Sequence, residues 1–226
     1  MQPSAQGIHI RINNIKDQDQ MYQVGITGNM GSGKSLVCSL FALIGRVPIY
    51  DADSEAKVMM HDDPEIKPQI LDLFGSRAYT PGGDLDRKYI GDMAFGDPDK
   101  LAALNAIVHP ASIARYERWL VCQTALFTIK EAALLIEATK WQTLDAIIVV
   151  TAPEDIRLQR VIVRDSHRSS EQINQIFANQ MPEAEKVAKA TYVINNDGKT
   201  ALLPQVLAID AAINQAALAK VQINTA

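Results

Sequence analysis

The chain has 226 residues, of which 47% are hydrophobic and 21% charged, and a net charge of −4. These are ordinary values for one large α/β domain with room for an inserted subdomain. They argue against a globally basic nucleic-acid binder, and no apolar run approaches the roughly 18 residues that suggest a membrane span. Cys38 and Cys122 are far apart and match no metal or redox spacing, so both are expected to be buried and reduced, as in a cytoplasmic protein.

In chain order, residues 1–20 are polar and rich in Gln, Asn and Asp, and Met21 stands directly before the first strand. They read as a loosely packed, disordered extension or an upstream start. A short added strand is the alternative, because Ile8, Ile10 and Ile12 alternate with polar residues. Residues 21–226 read as a single domain. Tyr22–Thr27 is a buried strand and Leu36–Ile44 a helix. Between them Gly28-Asn29-Met30-Gly31-Ser32-Gly33-Lys34-Ser35 fills every fixed position of G-x-x-x-x-G-K-[ST], in the strand–loop–helix context that the motif requires. Its glycines let the backbone wrap an anion, with N–H groups and the helix N-terminus facing phosphate oxygens. Lys34 is placed to reach the β- and γ-phosphates, and the Ser35 hydroxyl to ligate Mg²⁺. The expected ligand is a nucleoside triphosphate with Mg²⁺; an ordinary glycine-rich turn is the alternative.

A second strand, Val47–Tyr50, leads into Asp51-Ala52-Asp53. Ligands of open α/β sheets bind beyond the carboxyl ends of strands, so these carboxylates are expected to face the phosphate loop. One could orient an acceptor hydroxyl and take its proton, or hold Mg²⁺ through water; either could equally cap the next helix. About 75 residues follow before the next strand, too many for one crossover. Helices are expected over Ser54–His61, Pro64–Phe74, Arg87–Phe95, and Pro98 to about Gln123. Pro110 should kink or divide the last of these and bias His109 away from helical angles. Residues 54–123 therefore form a candidate helical substrate subdomain.

Strands Leu126–Lys130, Ala146–Val150 and Tyr192–Ile194 complete five, and the alternation of strand and helix predicts a mainly parallel sheet covered on both faces. From Pro153, acidic residues in a first helical turn precede Arg157, Arg160 and Arg164 on one face. Guanidinium forks match the charge spread over a transferring phosphoryl group, so residues 153–180 read as a lid, or else as a solvated basic face paired with Glu154, Asp155 or Asp165. Asn195-Asn196-Asp197-Gly198 is a turn at a strand end, where an amide could also read a base edge. The last helix is expected over Ala201–Leu218, with Pro204 in its first turn.

Together these motifs resemble dephospho-CoA kinase. The match runs from about Tyr22 to Gly198 and includes the phosphate loop, D-A-D, G-G-D-L-D-R at 82–87, A-F-G-D at 94–97, and L-N-A-I-V-H-P at 104–110. It continues through K-E-A-A-L-L-I-E at 130–137, I-R-L-Q-R-V-I-V-R-D at 156–165, Gln180 with Lys186, and Y-V-I-N-N-D-G at 192–198. The resemblance implies a three-layer αβα P-loop kinase fold and ATP-dependent phosphorylation of the ribose 3′-hydroxyl of dephospho-CoA, with Mg²⁺. It implies that Asp53 engages the acceptor hydroxyl, with Asp51 beside it. Lys34 and Ser35 would handle phosphates and metal, with Arg164 and Arg160 as lid arginines. Asn196 would lie near the adenine, and Arg87 and His109 on the acceptor side. Ile136 stands where the family often has Phe, and Thr191 where it often has Asp, so that acid's role is absent here. The competing readings are another small-molecule kinase, acting on a nucleoside monophosphate or a sugar acid, and a nucleotide-dependent regulatory ATPase.

Overall fold

The computed structural model describes residues 21–137, 141–166 and 169–224, so the expectations for the first 20 residues lie outside it. Five strands form one sheet in the order β2-β3-β1-β4-β5: β1 (Tyr22–Thr27), β2 (Ile49–Asp51), β3 (Phe127–Glu131), β4 (Ala146–Thr151) and β5 (Tyr192–Asn195). Every neighbouring pair is parallel, with Val24 opposite Ile129 on one side and Ala146 on the other. Because both faces are covered, the central strands are buried almost continuously rather than at alternate residues, and β4 is apolar from Ala146 to Val150. Val24, Ile26, Ile148 and Val150 pack with Val37, Cys38 and Phe41 of α1 (Lys34–Gly45) and with Val206, Ile209 and Ile213 of α9 (Leu202–Asn224). On the opposite face, Ile147 and Val149 pack with Ile136 and Val187.

α9 qualifies the expectation that no segment approaches membrane length. Leu202–Ile223 is long and apolar enough by composition, with a hydropathy of 1.3. Here its apolar side lies against α1, β5, β1 and β3 in the main core.

Four helices separate β2 from β3: α2 (Ala52–Asp62), α3 (Ile66–Phe74), α4 (Arg87–Phe95) and α5 (Pro98–Val121). They build a second apolar cluster around Met59, Ile70, Phe74 and Ile90, against Leu101, Leu104 and Val108 of α5. α5 runs unbroken through Pro110, so the expected division and the non-helical His109 do not occur. Pro110 removes one backbone donor and costs about 3 kcal/mol in a helix interior. Packing of α5 against α2, α3 and α4 outweighs that local cost. α5 then continues to a third cluster, where Tyr116 and Leu120 meet Tyr50 and Met21.

The segment after β4 holds two helices, α6 (Glu154–Arg164) and α7 (Ser170–Ala178), the latter closed by a capping box of Ser169 and Gln172. The short α8 (Glu183–Val187) follows. Cys38 is buried as expected, but Cys122 is exposed: it is the residue after α5, and its thiol lies against the Arg118 carbonyl of the last turn.

Candidate active site

The loop between β1 and α1 sits at the carboxyl end of the central strand. Gly31 and Gly33 have φ of 83° and 92°, a region that side-chain-bearing residues avoid. At Gly33 a Cβ would lie 2.2 Å from Asn196 Nδ2, so the glycine is required twice over. Ser32 Oγ and Asn29 Oδ1 are buried and find no hydrogen-bond partner among the described residues. Buried polar atoms at a phosphate loop suit a polar ligand.

Lys34 Nζ donates to the Gly28 carbonyl at 3.0 Å. Burial lowers its pKa, the charges of Glu131 and Asp53 oppose that shift, and Lys186 and Arg164 add to it. Ser35 Oγ donates to Glu131 Oε1 at 2.9 Å. Glu131 ends β3 and is only 9% exposed. The sequence motif contains this residue, but no local pattern assigns it a task; its signal is an acid closing an apolar strand beside the loop strand.

The carboxylates at 51 and 53 separate, because α2 begins at Ala52, two residues earlier than expected. Asp51 caps α2, accepting from Ser54 N at 3.0 Å and Ser54 Oγ at 2.6 Å. Asp53, in the first turn, accepts from Ala133 N at 3.1 Å and lies close enough to Lys34 to act on its charge. A cleft of about 500 Å³ opens beside Asp53, lined by His109, Tyr116, Lys130, Leu135 and Trp141 among others. Lys130 Nζ lies 4.1 Å from the Tyr116 ring centre. Arg87 is exposed at the start of α4 and does not line this cleft.

The three arginines of α6 share a face but meet different surroundings. Arg157, 5% exposed, donates from Nε to the Ala152 carbonyl at 3.1 Å, pairs with Glu154 and lies over the Phe177 ring. Arg160 reaches the phosphate loop, donating to the Gly31 carbonyl at 3.3 Å and to Asn196 O and Oδ1 at 3.1 and 3.3 Å. Asn196 Nδ2 in turn donates to the Ser32 carbonyl at 2.7 Å. Arg164 is bidentate to Asp165, at 2.7 and 3.0 Å, which matches the paired-face reading in this conformation. Met30 N donates to Gln180 Oε1 at 2.9 Å, tying the loop to the segment after α7. Thr191 Oγ1 accepts from Ile147 N at 3.0 Å, so this position keeps a side-chain acceptor although it carries no charge.

Comparison with known proteins matches residues 22–201 to the family model for dephospho-CoA kinase. The chain is 36% identical over 194 residues to a dephospho-CoA kinase of Bacteroides fragilis, covering 85% of this chain and 93% of that one. It is 38% identical over 189 residues to a dephospho-CoA kinase of Chlorobaculum tepidum, covering 77% and 86%. A crystal structure from Thermus thermophilus superposes with a TM-score of 0.76 at 34% identity, covering 85% and 97%. The dephospho-CoA kinase of Campylobacter jejuni shares the fold, with a TM-score of 0.63 at 21% identity over 86% and 98%.

Proposed function

The chain belongs to the dephospho-CoA kinase family, and we propose how its residues divide the ATP-dependent phosphorylation of dephospho-CoA to coenzyme A. ATP is the phosphate donor and dephospho-CoA the small-molecule acceptor. The observation that carries the division of labour is that Asp53 lines the acceptor-sized cleft and is tied through Ala133 to Thr27, the residue that leads into the phosphate loop.

Within the loop Asn29 to Ser35, backbone N–H groups other than those of Met30, held by Gln180, and Ser32, held by the Asn29 carbonyl, bind the phosphates with the N-terminus of α1, and Lys34 neutralises charge at the β- and γ-positions. Ser35 and Glu131 offer two hard oxygens side by side, the donor type that Mg²⁺ prefers while retaining waters and phosphate oxygens. Mg²⁺ bound there supplies charge neutralisation on the transferring group. Asp53 accepts the proton of the ribose 3′-hydroxyl and orients its oxygen, while Asp51 supports the helix turn that carries it. His109 and Arg87 are the acceptor-side residues, and His109 shares the cleft with Asp53.

Asn196 and Arg160 knit the loop to the strand end where the adenine would sit. Arg164 becomes the lid arginine only after leaving Asp165, and the closing of residues 153–180 then excludes water. The helical unit at 54–123 is the acceptor subdomain of the domain at 21–226. Two unpaired thiols suit a cytoplasmic setting.

Mass measurement of dephospho-CoA incubated with ATP and Mg²⁺ should show the gain of one phosphoryl group. Nucleoside monophosphates and sugar acids are expected to remain unmodified. ATP hydrolysis without transfer would instead favour a regulatory ATPase. For the assignment of Asp53, Asp53→Asn should lower kcat by about 10³-fold, within the range for a positioned base. ATP affinity should be retained in a direct titration; near-normal turnover would leave Asp53 a structural group.

A further inference from the structure

Lys186 lies in α8, outside the phosphate loop, and its side chain is 0% exposed. A fully buried lysine is rare and requires partners for its charge. Nζ lies 2.9 Å from Glu137 Oε1 and donates to the Ala133 carbonyl oxygen at 3.4 Å. That carbonyl also accepts from Thr27 Oγ1 at 3.2 Å, and Thr27 ends β1 directly before Gly28. On its other side, Ala133 donates its N–H to Asp53 Oδ2 at 3.1 Å. Ala133 follows β3 in a stretch of turns without ladder hydrogen bonds of its own kind, so its orientation depends on these contacts.

We propose that Lys186 is a positioning residue for the phosphoryl transfer: with Thr27 it fixes Ala133, and through Ala133 it sets the orientation of Asp53, touching neither substrate. The proposal rests on the reading of Asp53 as the carboxylate that engages the acceptor hydroxyl. A purely structural lysine would instead hold α8 to the sheet. That docking already has apolar support, since Val187 packs with Ile136, Ile147 and Val149. A purely electrostatic lysine would act on Lys34 and the triphosphate. Each alternative leaves a different kinetic signature.

The test compares kcat and ATP dissociation constant, with thermal melts, for the natural protein, Lys186→Met, Asp53→Asn and the double variant. Lys186→Met should lower kcat about 30-fold, below the ~100-fold that a 1 Å misplacement can cost. ATP affinity should stay within about twofold, and on the Asp53→Asn background the further loss should be under about threefold, as expected for coupled residues. An equal loss in both backgrounds overturns the proposal, as does a normal kcat for Lys186→Met or a loss confined to ATP affinity. Asp53→Asn alone decides the reading of Asp53. At near-normal rate it removes both ideas, whereas a slow Asp53→Asn beside a normal Lys186→Met removes only this one. If Lys186→Met fails to fold, Thr27→Val, which removes the other donor to the Ala133 carbonyl at nearly constant side-chain volume, carries the same comparison.

Discussion

At the residue scale, the loop lysine joins function to a cost in stability. Burial holds the Lys34 pKa below its usual 10.5, with only partial relief from Glu131 and Asp53. A lysine that binds its proton less readily folded than unfolded makes its charged form unfavourable in the empty fold at neutral pH. That cost is relieved only as pH climbs from the folded pKa towards 10.5, where the unfolded chain holds more protons. A bound triphosphate supplies the missing countercharge. Lys34→Met should therefore lower kcat by about 10³-fold, as for loss of one transition-state donor. The nucleotide-free melting temperature should not fall. A drop of more than about 3 °C, roughly 1 kcal/mol for a domain of this size, would count against this account. The motif spacing alone identifies Gly28 to Ser35. By contrast, the partners of Glu131 and Lys186 are invisible in sequence, because each lies about 50 to 100 positions from what it touches.

At the element scale, periodicity finds all five strands and the main helices, while their ends move by a few residues. One such shift matters: α2 starting at Ala52 turns Asp51 into a cap and carries Asp53 around to Ala133. Spacing likewise places Arg157, Arg160 and Arg164 on one face of α6, but only packing assigns them their different partners. Pro110 gives a direct test of tertiary override. Its backbone penalty persists although α5 is continuous, so Pro110→Ala should stabilise the protein by about 2 kcal/mol, or roughly 6 °C in melting temperature. Thermal denaturation checks this; an unchanged or lower midpoint would mean that neighbouring turns already compensate for the missing donor. If His109 depends on the helix geometry at Pro110, the same variant should also raise the KM for dephospho-CoA.

At the scale of the whole molecule, the sheet core and the helical cluster around Ile70 and Phe74 are separate apolar assemblies. Separate cores permit separate opening. Hydrogen exchange should therefore be faster in α3 and α4 than in β1 and β4, and dephospho-CoA should slow α3 and α4 more than ATP does. Uniform exchange across both cores would show a single cooperative unit. The parallel α/β class, the triphosphate loop and the likeness to a kinase of dephospho-CoA are legible before folding, because each rests on short-range order: period, glycine placement and motif sequence. Folding is what sends Asp53 rather than Asp51 to Ala133, Arg160 to the phosphate loop and Lys186 to the far side of Ala133. Those choices arise from hydrogen bonds and burial between distant segments, and no local pattern encodes them.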